Sequence, residues 1–491
     1  MLNRSNKVLR LRTRPSGRLV FSLLFLITIQ VGCKKLIEIP APVTSISSAN
    51  VFSNDATAAA VLTGIYTNMS SSNSGWSGIN SMFLYVALSA DELALYDNNN
   101  VAYLPYYSNA LSNSNTGGAD YWNTIYPMIF VANSATEGLS NGSGLTPAVR
   151  QQLMGEAKFI RAFCYFYLIN LYGDVPLVTG TDYTVNTVLP RTPKAQVWQQ
   201  VINDLKDAQN LLSTNYLDAT LLNTTTERVR PTSWAATALL ARAYLYTQKW
   251  DSAEAQATAI INNSTLYSLD TLNGVFLKNN PEAIWQLQPV GTDVNSNTGE
   301  GALFILDPIA GPNTSGTHPV YLSNYVVNSF EPGDQRRSNW VDSVTVGNTT
   351  YYYPYKYKIG LINTPAAEYS TVFRLGEQYL IRAEARAQRS NITGASADLD
   401  TIRSRAGLAG TSASTQIDLL TAIQHERRVE LFTEWGHRWL DMKRTGTVDA
   451  VMGSGGVCAT KGGTWNIDWQ WYPIPLSELQ ADPNLKQNKG Y

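Results

Sequence analysis

Apolar residues recur every three to four positions through most of this chain, the period of helices that bury one face. Over 155–171, Phe159, Ala162, Phe163, Phe166 and Ile169 fall on that period. Tyr172-Gly173-Asp174 ends the predicted helix, and Val175-Pro176-Leu177 cannot continue it. Thr192 and Pro193 read as the cap and first-turn proline of the next helix, which runs through Val197, Trp198, Ile202, Leu205, Ala208 and Leu212. A helical hairpin follows. Pro231 starts it, Ala235, Leu239, Ala243 and Tyr246 line one face, and 248–251 turns into a second helix marked by Ala253, Ala257, Ile260 and Ile261. Leu240-Ala241, Tyr244, Ala253 and Ile260 fit tetratricopeptide spacing. A second copy begins at Arg374 with Leu375-Gly376 and Tyr379, its partner helix covering about 395–405. One further long helix is expected over about 417–444, and a helical stretch over 121–137.

Two stretches break the period. Residues 70–120 and 265–370 are rich in Ser, Asn, Gly and Tyr, with strand-like runs only at 283–289 and 351–358. The expected fold is all-α: a tetratricopeptide-like helical-repeat scaffold with long irregular loops and a few short strands. Long loops on a repeat scaffold tend to carry function, and aromatic content argues that these are ordered.

The first residues change the picture of where the chain resides. Lys7, Arg10, Arg12, Arg14 and Arg18 precede an apolar run over 19–29, and Val31-Gly32 leads into Cys33. That layout predicts an export signal over 1–32, with lipidation at Cys33 and an ordinary cleaved signal as the alternative. The run is too short to span a bilayer. Gln30 stands where a lipobox usually has Leu or Val, and Lys34-Lys35 follow the cysteine. The mature chain divides into an N-terminal region, 33–225, and a C-terminal region, 226–491, read together as one compact unit.

Charged residues make up only 15% of the chain and the net charge is -1. No basic block follows the leader, which argues against nucleic acid. Beyond Cys33 only Cys164 and Cys458 remain, expected free, since a chain this long needs no staple.

Candidate catalytic patterns fail one by one. His425-Glu426 begins like H-E-x-x-H, but Val429 holds the second ligand position. Three histidines in all are sparse for a metal site or a triad, and neither metal nor cofactor is expected. Residues 138–142 spell G-x-S-x-G but lie in a linker after a helix, without the strand that motif needs. Asp91-Glu92 could supply hydrolase carboxylates, although sequence neighbours are seldom the opposed pair that glycoside hydrolysis uses. Glu426, Glu430 and Glu434 fall at i, i+4 and i+8 with Arg427 and Arg438 available as partners, which reads as helix packing rather than catalysis.

Several separate motifs together resemble the SusD/RagB family of outer-membrane lipoproteins. They include Glu156-Ala-Lys-Phe-Ile-Arg161-Ala-Phe with Tyr165-Phe166 and Tyr172 to Leu177; Trp198, Ile202, Asp204-Leu205 and Ala208; and Arg374-Leu375 with Glu377 and Tyr379 to Ala385. In the same order follow Arg403-x-Arg405-Ala-Gly-Leu408, then Glu426-Arg427, Glu430-Leu431, Glu434, Gly436, Arg438, Asp441 and Arg444, with Trp435 as an inserted residue. The terminus, Tyr472-Pro-Ile-Pro475 through Asn484, Gln487-Asn488 and Gly490-Tyr491, carries Lys489 in place of the family's proline. The resemblance implies a cell-surface, lipid-anchored outer-membrane protein that binds a nutrient, usually a glycan, and delivers it to a SusC-like TonB-dependent transporter without catalysis. An oligopeptide ligand or a lipoprotein glycoside hydrolase are the alternatives. Aromatic rings suit sugar C–H faces and amides suit vicinal hydroxyls, so Trp76, Tyr96, Asn98, Tyr103 and Tyr107 from the first loop stretch, and Trp285 and Tyr321 from the second, are the candidate ligand residues.

Overall fold

In the computed structural model the helical periods become a ladder in which each helix packs on the next. The structure describes residues 51–70, 82–290, 297–360 and 365–491. Among these, and numbering helices of eight residues or more, α1 is Asp55–Ser70, α2 Met82–Ser89, α3 Tyr121–Asn141, α4 Pro147–Tyr172, α5 Lys194–Leu211 and α6 Ser233–Tyr246. Then come α7 Trp250–Ile261, α8 Leu375–Gln388, α9 Ile392–Arg405, α10 Gln416–Glu430 and α11 His437–Arg444. From α3 to α9 each helix contacts its successor, and α10 closes on both α8 and α9. This is the stacked-pair arrangement that the tetratricopeptide spacing predicts. Buried Ala235, Ala238 and Ala241 keep α6 slim enough for its neighbours to approach. Gly155 does the same for α4, where a Cβ would lie 2.8 Å from Leu212 Cγ. Residues 49–491 form one compact unit.

Strands are few and short. β1 (Leu93–Leu95) pairs antiparallel with β3 (Val320–Leu322), β2 (Ala283–Leu287) with β6 (Ser370–Arg374), and β4 (Val341–Val346) with β5 (Thr349–Pro354). The β2–β6 pair is buried at every position, so its polar members find partners inside the core, Gln286 Nε2 donating to Thr371 Oγ1 at 3.0 Å. There Trp285 meets Phe159, Phe163 and Phe373 at ring-centroid distances of 5.1, 5.5 and 5.9 Å and donates its indole N–H to Val229 O at 3.1 Å.

The expected helix over 417–444 is two helices. Between α10 and α11 the backbone enters the left-handed region at Thr433, Trp435 and Gly436, and glycine is the residue that reaches it without strain. Glu434 therefore sits in a turn instead of at i+8 of a helix, and the carboxylates have partners other than those expected. Glu426 and Glu430 bind Arg336, Glu430 also binds Arg374 and Arg405, and Glu434 binds Arg374 and Lys356. Arg427 instead holds Asp441, and Arg438 holds Asp91. Burial alone would raise the Glu430 carboxyl, but Arg405, Arg374 and Arg336 hold it well below the ordinary range. The cluster ties α10, β6, α9 and the short helix Gln335–Asn339 with its cap Asp334 into one body.

Two smaller expectations change. The α3 helix continues to Asn141, so the G-x-S-x-G letters are mostly helical, and Ser140 Oγ donates to Thr136 O. Pro193, not Thr192, occupies the N-cap of α5. Cys164 and Cys458 are buried and unbridged. Among the described residues no helix is long and apolar enough to cross a membrane.

Candidate ligand-binding surface

The β1–β3 pairing joins the two loop-rich stretches. Strand side chains alternate between faces, so Leu93 and Leu95 point into the core with their partners Leu322 and Val320, while Ala94 is paired with Tyr321. Tyr96 follows at the strand end, its amide donating to Pro319 O at 2.9 Å, with 40% of its surface exposed. Strand β5 packs against β3, which places Tyr351 between the two tyrosines. Its ring centroid lies 5.0 Å from Tyr321 and 5.8 Å from Tyr96, with interplanar angles of 79° and 77°. Such edge-to-face contacts are favoured by the ring quadrupoles and hold the three rings together.

The array extends on both sides. Tyr107 is partly buried; burial, with Tyr321 nearby, raises its phenol above the ordinary value, and its ring centroid lies 5.0 Å from Lys461 Nζ. Exposed Tyr325 sets its hydroxyl 3.3 Å from Thr460 Oγ1. Asn98 is exposed on the turn after Tyr96, where Asp97 accepts from the Asn99 amide through Oδ1 at 2.9 Å and from the Asn100 amide through its carbonyl at 3.1 Å.

Beneath the array lies a charged support. Asp91 receives Arg438 in a bidentate pair at 2.8 and 2.9 Å and Arg428 at 2.8 Å. Burial would raise its carboxyl, yet Arg438 and then Arg428 bring it below the usual value. Lys461 Nζ donates to Leu88 O at 2.6 Å and to Ala90 O. Burial lowers its ammonium to about 7 against the attraction of Asp91. Glu92 accepts the Thr433 amide at 2.9 Å and is pushed by burial to about 7. Asp91 is thus committed to two guanidiniums and Glu92 is sealed in the core, an arrangement that supports β1 and leaves neither carboxyl facing a substrate. Among the described residues no cluster of three or more His, Cys, Asp or Glu is placed to hold a metal ion.

Of the sequence candidates, the structure brings Tyr96, Tyr107 and Tyr321 together and leaves Asn98 exposed beside them. Trp285 is wholly buried between β2, α4 and β6 and has no face for a ligand. Tyr103 is only 5% exposed, packed 5.6 Å from Tyr85. Trp76 and Cys33 lie outside the described residues. Tyr351 and Tyr325 were not anticipated. The tyrosines at 351, 352, 353, 355 and 357 in the strand-like run were the available signal for the first of them.

Comparison with known proteins places this geometry in context. The sequence pattern described as "SusD family" matches residues 340–491, and that described as "Starch-binding associating with outer membrane" matches residues 46–245. Among curated relatives, SusD-like protein P25 of Formosa agariphila is 27% identical over 76% of this chain and 80% of its own length. SusD-like protein P2 of the same organism is 26% identical over 94% and 97%. Among solved structures, a SusD superfamily protein from Bacteroides vulgatus superposes with a TM-score of 0.75 at 22% identity, covering 89% of this chain and 99% of that one. A laminarin-binding SusD-like protein superposes with a TM-score of 0.73 at 24% identity over 89% and 100%. At these identities the structural likeness establishes the helical-repeat fold. With two characteristic sequence regions in order and relatives spanning nearly the whole chain, this protein belongs to the SusD/RagB family.

Proposed function

We propose that this protein is a surface glycan-binding lipoprotein that captures a poly- or oligosaccharide on its tyrosine array and passes it to a SusC-like TonB-dependent transporter. The observation that carries this reading is the convergence of Tyr96, Tyr321 and Tyr351 at the surface from three separate stretches of chain. Tyrosine rings present flat apolar faces that match the C–H faces of pyranose rings, and their hydroxyls bond to sugar hydroxyls. The description "Starch-binding associating with outer membrane" for residues 46–245 agrees with a carbohydrate ligand and with a place at that membrane. Cys33 supplies the anchor in this reading, and the outward face follows from the role. The site performs no chemistry of its own: Asp91 and Glu92 serve the fold.

Affinity electrophoresis of the mature chain in gels containing polysaccharides tests the proposal. Retardation in at least one gel is expected, weakened at least tenfold in apparent affinity by Tyr351→Ala with an unchanged circular dichroism spectrum. Full retention by that variant, or release of shorter sugars from the polysaccharide, refutes the reading. Co-purification of a barrel transporter with the native lipoprotein, lost for Cys33→Ser only after membrane washing, tests the delivery step and the anchor together.

A further inference from the structure

Resting on that reading of the tyrosine array, we infer that its ligand is an uncharged glycan, and that uronate- and sulfate-bearing polysaccharides are excluded. The first observation is in the sequence. Lys and Arg together number 37 in the chain, yet none occurs between Lys35 and Arg150 or between Lys278 and Arg336. These two intervals supply Tyr96, Asn98, Tyr107, Tyr321 and Tyr325. The only histidine they contain is His318, whose Nδ1 lies 3.1 Å from Leu303 O.

The second observation is where the cations of the surrounding elements point. Lys461, beneath Tyr107, gives its ammonium to the carbonyls of Leu88 and Ala90. Arg428 and Arg438 are both spent on Asp91. On the segment that carries Tyr351, Lys356 is bound to Glu434 and Lys358 to the carbonyls of Asn339 and Tyr355. Arg428 also donates to Tyr325 O at 3.0 Å, and Arg337 lies 4.6 Å over the ring of Tyr352, on the face of β5 opposite Tyr351. The cations nearest the array are thus engaged by carboxylates, backbone carbonyls or a ring on its far side.

The third observation is the sign of what remains. Asp97 stands between Tyr96 and Asn98. Asp307 is exposed and caps the 307–311 turn, which lies against the β4–β5 hairpin through Gly311, 3.8 Å from Tyr351 at its nearest when given a Cβ. A carboxylate or sulfate ester brought here would lose hydration, compete with carbonyls and Asp91 for cations already engaged beneath the array, and be repelled by these aspartates. Recognition of such groups depends on Arg or Lys in charge-assisted, often bidentate, bonds. An uncharged pyranose loses nothing by their absence, because ring stacking and amide or phenol hydrogen bonds supply its contacts.

The test is isothermal titration of the full mature chain with laminarin, amylopectin and galactomannan as neutral probes, and with alginate, polygalacturonate and carrageenan as acidic ones. The inference expects binding to at least one neutral probe, none to the acidic set, and a Kd that shifts less than about twofold between about 50 and 500 mM NaCl, since no ion pair is there to be screened. The neutral binding should fall at least tenfold in Tyr351→Ala. Binding of an acidic probe that Tyr351→Ala abolishes overturns the inference while leaving the glycan-binding reading in place. Failure of every probe to bind, or binding untouched by Tyr351→Ala, overturns the reading of the array itself.

Discussion

Replacing Asp91 by Asn keeps the shape of the side chain but removes the negative charge between Arg428 and Arg438. Asp91 is 2% exposed at its side chain, whereas Arg438 and Arg428 are 15% and 20% exposed. Breaking a fully buried pair by neutralising one partner costs about 3–5 kcal/mol. Here both guanidiniums can turn partly to water, so the lower end, about 3 kcal/mol, is the expected loss. Unfolding entropy near 2.1 cal/mol/K per residue gives roughly 0.9 kcal/mol per degree for the compact unit 49–491. The melting temperature should then drop by about 3 °C, read by differential scanning calorimetry at pH 7. Glycan affinity of the folded variant should stay within about twofold, because Asp91 supports β1 from below and touches no ligand. Combining it with Arg438→Met should recover part of the loss, since the orphaned guanidinium is then gone. An unchanged melting temperature, or a strong loss of binding without loss of stability, refutes the assignment of Asp91 as a structural counter-ion.

Other expectations are as direct. Trp285→Ala opens a cavity among Phe159, Phe163 and Phe373 and should cost about 3–5 kcal/mol in urea denaturation without changing the glycan affinity of the folded fraction; a selective loss of affinity would return Trp285 to the site. Burial raises Glu92 to about 7 from an unfolded value near 4.3, so its contribution is full below the unfolded value and lost as pH rises through 7. Glu92→Gln keeps an acceptor for the Thr433 amide and should raise the melting temperature more at pH 8 than at pH 5, whereas parallel profiles would argue that Glu92 is ionised without cost. Gly436 has φ +73°, and a Cβ there would lie 2.8 Å from Val86 Cγ1, so Gly436→Ala should destabilise by more than about 1 kcal/mol, as thermal melts would register.

The helices were legible because burial of one face imposes its period on the sequence, and α4, α6 and α8 were readable on that ground. The break after Glu430 was not, because Thr433 and Trp435 adopt positive φ although neither is a glycine, a single Gly436 is a weak stop signal, and helical spacing of the glutamates persisted across the turn. Trp285 was misread for a related reason. An aromatic in a short, mostly apolar strand looks the same whether the strand borders a loop or is covered on both faces. Tyr96, Tyr107 and Tyr321 were selected by residue type and loop context, which separates them poorly from Tyr103. What joined them was the register of β1 on β3, a pairing across the chain that no local pattern encodes. Tyr351 entered by the same route, through packing of β5 on β3.

That register also has a kinetic meaning. Leu93 and Leu322 are 229 positions apart and meet across a two-stranded pair three residues long. Closing so long a loop costs about 5 kcal/mol of chain entropy in the flexible limit, far more than one short ladder returns. The helical ladder between them must therefore form first and shorten the distance, so the tyrosine array assembles late, as a consequence of completed folding. A chain stalled or clipped between the two strands would carry every helix up to the break and still lack the proposed glycan surface. Binding competence thus reports on the integrity of the entire fold, and only a finished molecule can compete for ligand.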